Sequence, residues 1–306
     1  MYSYFDAHCD TMTKMYKNNV GLNCSKLMVN TDNLKNYKSV IHVFALFNNG
    51  EMNKSDMINC FDYFKIQCKK QSSLVSICSS KKEINKNKAP LSAVLAIEGI
   101  GNQPDFSIKD IKDYYEAGIR FISLSWNKDN PLCGGCDGNQ TGITYLGKQT
   151  LYEMERLKII LDVSHLSDKS FWDSLKYYSL PVCATHSASR TVNNHQRNLT
   201  DEQFTEIIKR KGVCGINFFP PFLCKDKADI NAVIKHIEHF MSLGGENSIG
   251  LGSDFDGIEK TPEGLENSSH FQHLFNSLLS LNYPEELIKK IAYGNFHKLF
   301  MRFITE

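Results

Sequence analysis

Five short apolar runs in this chain each end in residue types that bind metal ions: His8 and Asp10 in FDAHCDT, Glu98 in LSAVLAIEG, His165 in IILDVSH, His186 in PVCATH and Asp254 in SIGLGSDF. The runs are rich in β-branched residues and almost continuously apolar, as strands buried on both faces of a parallel sheet are. Side chains at the carboxyl ends of successive strands meet only if the strands lie parallel around one axis. A (β/α)8 barrel has that geometry, with its site at that rim.

The rest of the chain fits the same architecture. Eight strand candidates (SYFDAH, SVIHVFALF, SAVLAIE, RFISLSW, IILDVSH, PVCATH, GVCGINFF and SIGLGSDF) alternate with segments whose apolar residues recur at helical spacing, the first running over residues 55–75. Thr200 followed by Gln203 reads as a capping box, and Gly118 and Gly212 stand where helices should end. After the eighth strand, Pro284-Glu285-Glu286 starts a helix with acids beside the positive end of its dipole, and two or three helices remain to close the barrel. With no linker, repeat or low-complexity tract, residues 1–306 are expected to form a single α/β domain, a (β/α)8 TIM barrel with C-terminal closing helices.

Charge narrows the partners. A formal net charge of +1 gives no field to draw in nucleic acid or an anionic membrane, which favours a small neutral or zwitterionic ligand. The basic stretch KKEINKNK, residues 81–88, reads as a solvated connection. No apolar run approaches the roughly 20 residues of a spanning helix. MYSYFDAHCD enters a strand with no room for a secretion signal, so a cytoplasmic protein is expected. Ten cysteines without framework spacing fit reduced thiols; Cys133-Gly-Gly-Cys136 lacks the second pair of a structural zinc site and reads as an inert loop pair.

The run ends carry the chemistry. His8 and Asp10, two residues apart on a strand, project to one side and can hold one ion together. Glu98 closes an apolar strand, where a carboxylate is costly unless a cation pairs with it, and its two oxygens can bridge two ions. His165 and His186 supply two imidazoles to the second ion. Two ions roughly 3.5–4 Å apart can activate a bridging water and polarise a carbonyl in the same step, so metal-dependent hydrolysis is expected. Asp254, nearest its strand end, is the candidate proton carrier, with Asp256 holding the turn. On the loop after the sixth strand, Arg197 can clamp a substrate carboxylate bidentately. His236, His239, His270 and His273 read as surface residues of outer helices, and His42 as a structural residue of the second strand with no partner in reach.

The order H-x-D, E-G, S-H, T-H-S and G-S-D-F-D-G, with the R-N-L-T-D loop, the P-E-G-L-E stretch and the segment around Gly294-Asn295-Phe296, resembles the membrane (renal) dipeptidase family of dinuclear zinc peptidases over the full length. The resemblance implies a barrel of the metal-dependent amidohydrolase type, a homodimer, two zinc ions, and hydrolysis of dipeptides, including those with a C-terminal D-residue. His8, Asp10 and Glu98 would hold one zinc and Glu98, His165 and His186 the other, while Asp254 would relay the proton and Arg197 bind the terminal carboxylate. Ser125-Trp126-Asn127 looks like the microbial branch, standing where vertebrate enzymes carry a substrate-contacting histidine, so oxyanion stabilisation falls to the second zinc or to Asn127. Phe219 stands where a tyrosine is common. Metal ligands define a reaction better than a substrate, so another small amide, an N-acyl amino acid or a lactam, is the alternative, and a non-catalytic binding barrel a more distant one.

Overall fold

The computed structural model describes residues 1–35 and 37–306. Its strands are β1 (Tyr4–Cys9), β2 (Val40–Phe47), β3 (Val75–Ile77), β4 (Leu91–Glu98), β5 (Ile119–Ser123), β6 (Ile160–Asp162), β7 (Cys183–Ser187), β8 (Val213–Ile216) and β9 (Ile249–Leu251). Neighbours pair in the order β2-β1-β9-β8-β7-β6-β5-β4, every pair parallel, and β4 closes the ring by pairing with β2 from Val40↔Leu91 to Phe47↔Glu98. This is the closed eight-stranded barrel that the apolar runs implied.

β3 is the addition. It takes the first half of the other edge of β4, Val75↔Leu91 to Ile77↔Ala93, and β5 takes the second half, Leu95↔Ile119 to Ile97↔Ile122. The sequence pattern carried the preceding helix through Val75, but the helix ends at Lys70. Leu74-Val75-Ser76-Ile77 then reaches an unpaired stretch of β4, and Leu91 N–H donates to Leu74 O at 3.1 Å. An edge left open by β5 outweighs helical spacing there.

The helices are α1 (Thr11–Asn18), α2 (Lys54–Lys70), α3 (Lys81–Lys86), α4 (Ile108–Glu116), α5 (Tyr145–Leu157), α6 (Asp168–Tyr177), α7 (Asp201–Lys209), α8 (Pro220–Leu223), α9 (Ile230–Ser242), α10 (Phe271–Ser280), α11 (Glu285–Lys289) and α12 (Asn295–Phe303). The capping box at Thr200 forms, with Gln203 N–H donating to Thr200 Oγ1 and Thr200 N–H to Gln203 Oε1. Most of the basic connection is the short helix α3, which Ser80 and Glu83 start with a capping box. Gly118 follows α4 at φ +104°, whereas after α7 it is Lys211 that turns left-handed. Gly212 serves by being small: a Cβ there would lie 2.1 Å from Val182 O.

α12 lays Phe296 against Phe5 of β1 (ring centroids 5.5 Å apart) and Phe300 against Phe121 of β5 (5.8 Å). Gly250 in β9 leaves the room for Phe296, since a Cβ there would sit 2.4 Å from the ring. α12 thus packs near the start of β1 and β9, with Asn295 Nδ2 donating to Ile249 O at 2.8 Å. Among the described residues, no helix is long and apolar enough to cross a membrane.

Candidate metal centre and active site

The pairing register slips between Asp6 and Cys9 in β1 and between Ala184 and Ser187 in β7. A bulge breaks the two-residue alternation and re-aims side chains, here His8 of β1 and His186 of β7, while Asp10 lies one residue past β1 at the start of α1, not on the strand where the sequence reading placed it. Glu98 is the last residue of β4. His165 and Asp254 correct the sequence reading, which placed them at strand ends: β6 stops at Asp162 and β9 at Leu251, and both residues lie on the loops beyond, in left-handed backbone at φ 68° and 63°. Non-glycine residues hold that conformation at a cost of about 1–2 kcal/mol each. Neighbouring bonds fix them in place. Asp254 N–H donates to His8 O (3.1 Å), and Cys136 N–H donates to His165 O (2.9 Å).

The side chains converge. His8 Nε2 lies 3.5 Å from Glu98 Oε2 and 4.0 Å from Asp10 Oδ2. The other carboxylate oxygen, Glu98 Oε1, lies 2.7 Å from His165 Nε2 and 3.4 Å from His186 Nε2. Two triads, His8-Asp10-Glu98 and Glu98-His165-His186, each present one ligand atom per residue within 4.8 Å of one another, as does His8-His186-Asp254. Glu98 belongs to both halves, one oxygen toward each.

Burial makes this cluster electrostatically costly. It opposes ionisation of Glu98, yet His8, His165 and His186 hold its carboxyl well below the usual range. Asp10, buried and facing Glu98, is pushed well above it. Asp254 rises to about 6, chiefly by burial, with Glu98 adding and His8 opposing. Burial works against a charged His8, but Glu98, Asp10 and Asp254 outweigh it and raise its pKa to about 10. His165 falls to about 4 and His186 well below its ordinary value, both mainly by burial. So one half of the cluster attracts a positive charge, and the other offers neutral imidazoles.

The donor set fits metal ions. His165 Nδ1 faces Asn127 Oδ1 at 2.7 Å, an acceptor, so that nitrogen carries the ring hydrogen and Nε2 is left with a lone pair. That lone pair points at a carboxylate oxygen and, at 2.9 Å, at His186 Nε2. Acceptors brought this close are stabilised by a cation between them. His8 Nε2 and Asp10 Oδ1 are also buried without a hydrogen-bond partner.

Around the cluster lies a cleft of two lobes, about 480 and 840 Å³, which share Trp126, His165, Asp254 and Gly257. Asn127 lines the larger lobe, but its Oδ1 is already engaged by His165 and by the Cys136 thiol (3.2 Å). The Cys133–Cys136 loop braces the site through Cys136, which bonds Asn127 Oδ1 and His165 O, and both thiols are buried and free. Arg197 is buried; one terminal nitrogen donates to His186 O at 3.0 Å, its Nε has no partner, and the guanidinium stands 5.4 Å from the Phe222 ring centroid. Asp256 accepts from the Thr11 hydroxyl, Lys14 Nζ and Met28 N–H, tying those segments together. Phe219 lines the larger lobe and packs on Phe222.

Some residues were not anticipated. Asn217 Nδ2 donates to Asp254 Oδ2 at 3.0 Å, and Asp162 bonds the Thr185 hydroxyl beside His186. Each is a polar residue inside an apolar run, which is the signal that could have found them. His236 is not a surface residue. It is fully buried, accepting from Ser189 N–H at 3.0 Å and lying 2.9 Å from Leu223 O. An i,i+3 spacing does not reveal which helix face is inward once α8 packs over α9.

Comparison with known proteins gives a consistent result. The solved structure of dipeptidase AC, a family M19 metallopeptidase, superposes with a TM-score of 0.90 at 22% identity, covering 100% of this chain and 99% of that one. A metallopeptidase from Rhodobacter sphaeroides, liganded with a phosphinate mimic of the dipeptide L-Ala-D-Ala, gives 0.88 at 21%, covering 99% of each. At such identities the likeness establishes the fold. In sequence, an uncharacterized dipeptidase of Schizosaccharomyces pombe is 33% identical over 204 residues, 63% of this chain and 48% of the relative, so the match spans about half the relative's length. An uncharacterized protein from the pqqA 5' region of Klebsiella pneumoniae is 32% identical over 234 residues, 72% of this chain and 86% of the relative. The model of the membrane dipeptidase family, peptidase family M19, matches residues 2–304, and the chain belongs to that family.

Proposed function

We propose that this protein is a dipeptidase that works with two divalent ions, one held by His8, Asp10 and Glu98 and the other by Glu98, His165 and His186. The observation that carries this is the shared carboxylate: Glu98 turns one oxygen to each half of a buried cluster. Histidine and carboxylate donors suit zinc. Bound there, such ions supply an activated water and polarise the scissile carbonyl. The chain's own residues do the rest. Asp254, with a pKa near 6 and one oxygen held by Asn217, takes a proton from the attacking water and passes it to the departing amine. Arg197, desolvated and fixed on the His186 carbonyl, holds the substrate's terminal carboxylate through its Nε–H, which has no partner in the fold. Asn127 offers its amide N–H to the substrate from the wall of the larger lobe. Ten unpaired thiols suit a reducing cytoplasm.

The test is a dipeptide panel, including L-Ala-D-Ala, scored by release of free amino acids, with the metal content of the same preparation measured. Two ions per chain with hydrolysis are expected. Arg197→Ala should raise KM for a dipeptide by about 10–100-fold, the loss of a buried charge-assisted pair. A dipeptide amide should be a poor substrate for the unaltered protein and lose little more in the variant. Equal efficiency on acid and amide would move the assignment to a broader small-amide hydrolase such as an N-acyl amino acid or lactam hydrolase, and metal binding without any turnover would leave a binding barrel.

A further inference from the structure

Asp162 is buried beside the cluster, yet the reaction proposed above does not use it. Its Oδ1 accepts from the backbone N–H groups of Ser164 and Thr185, both at 2.9 Å, and its Oδ2 meets the Thr185 hydroxyl. A carboxylate has no hydrogen to give, so the single hydroxyl hydrogen of Thr185 goes to Asp162. That leaves the lone pairs of Thr185 Oγ1. Two imidazole nitrogens face them: His186 Nδ1 at 2.8 Å and His8 Nδ1 at 3.5 Å. Each can be accommodated only as a donor, which puts the ring hydrogen on Nδ1 in both histidines and leaves both Nε2 lone pairs for the cluster. The two rings lie side by side, centroids 3.8 Å apart and 34° from parallel.

His8 belongs to one half of the cluster and His186 to the other. We propose that the Asp162–Thr185 pair is a shared positioning device, one hydroxyl fixing the tautomer and orientation of an imidazole in each half, so that both ions depend on it together. The proposal rests on the metal reading above. His165 is a contrast within the same molecule, since its Nδ1 is held separately by Asn127, which has no bond to His8 or Asp10 among the described residues.

The contrast makes the idea testable. Zinc titration of the metal-stripped protein against a chromophoric chelator should show two ions in the unaltered chain. Thr185→Val, which keeps the shape and removes the hydroxyl, should weaken both by about 10–100-fold, the usual effect of losing such a partner. Thr185→Ser should restore both. Asp162→Asn should act like Thr185→Val, because an amide hydrogen can occupy the Thr185 oxygen and turn the hydroxyl hydrogen toward the imidazoles. Asn127→Ala should weaken one ion only. In the zinc-loaded unaltered protein, long-range ¹H–¹⁵N spectra should show Nδ1–H on both His8 and His186, a readout that requires no variant to fold. Unchanged binding of both ions in Thr185→Val, loss confined to one ion, or an Nε2–H on either ring would overturn the shared device while the metal reading stood. An unaltered chain that binds no zinc would overturn both.

Discussion

β1 feeds two carboxylate–imidazole clusters, one on each side of its bulge, and they differ in what they leave open. Before the bulge, Asp6 accepts from Ser253 N–H (2.8 Å) and from the Ser253 hydroxyl and lies 3.2 Å from His42 Nδ1, while His42 Nε2 meets the Tyr4 hydroxyl at 2.8 Å. Tyr4 in turn packs on Tyr37 and on Phe271 of α10. His42 Nδ1, like His8 Nε2, makes no hydrogen bond, but Asp6 and His42 are fully buried and face only each other and the Ser253 and Tyr4 hydroxyls, and the cluster is structural. Beyond the bulge, His8 Nε2 and Asp10 Oδ1 have no hydrogen-bond partner, and the His165 lone pair faces further acceptors. The same residue types thus divide by number and access: one carboxylate and one imidazole closed off in the barrel, against three carboxylates and three imidazoles that reach the cleft through Asp10, Glu98, His165 and Asp254. His42, which had no evident partner in the sequence, belongs to the closed side.

Breaking the open cluster should have the largest effect. Glu98→Ala removes the only carboxylate shared by both triads, so bound metal should fall from about two ions per chain toward zero, with turnover down by about four orders of magnitude or more. Metal analysis that still found two ions, with activity intact, would end the bridging assignment.

Asp254→Asn comes next, lowering kcat by about 10²–10⁴-fold while the ions stay bound and KM moves little. Normal turnover in that variant would send the search for the proton carrier elsewhere, with Asp256 first.

Breaking the closed cluster should read out differently. Asp6→Asn loses an acceptor that Ser253 uses and should destabilise the fold by about 1–3 kcal/mol in urea unfolding, leaving the metal content of the folded protein unchanged. A loss of metal instead would mean that the bulge does not separate the two networks.

The smallest effect concerns another closed imidazole, His236, whose pKa burial lowers to about 4. A folded-state pKa below the ordinary 6.5 means that its contribution is fully present above pH 6.5 and is lost as the pH falls from there toward 4, by at most about 3 kcal/mol. His236→Gln, which keeps a donor and an acceptor, should flatten that part of the stability profile between pH 7 and 4.5. Parallel profiles for the two proteins would show that the histidine titrates normally in the fold.

The sequence by itself determined the barrel and the identity of the cluster residues. Eight near-continuously apolar runs call for a parallel sheet covered on both faces, and ligand-type residues at five of their ends meet only if that sheet closes into a barrel. The capping box at Thr200 was equally local, a matter of two side chains and two backbone groups. What only the tertiary structure decided depends on contacts between distant segments. β3 forms because β5 leaves half an edge of β4 open, and His236 is buried because Leu223 and Ser189 come to meet it. The bulges in β1 and β7, which cancel simple alternation, and the left-handed turns at His165 and Asp254 leave no mark in composition or spacing, because they are held by bonds to distant segments, Cys136 N–H donating to His165 O and Asp254 N–H to His8 O. Which imidazole nitrogen faces the cluster is likewise set by Thr185, Asp162 and Asn127, partners named only when strands far apart in the chain become neighbours.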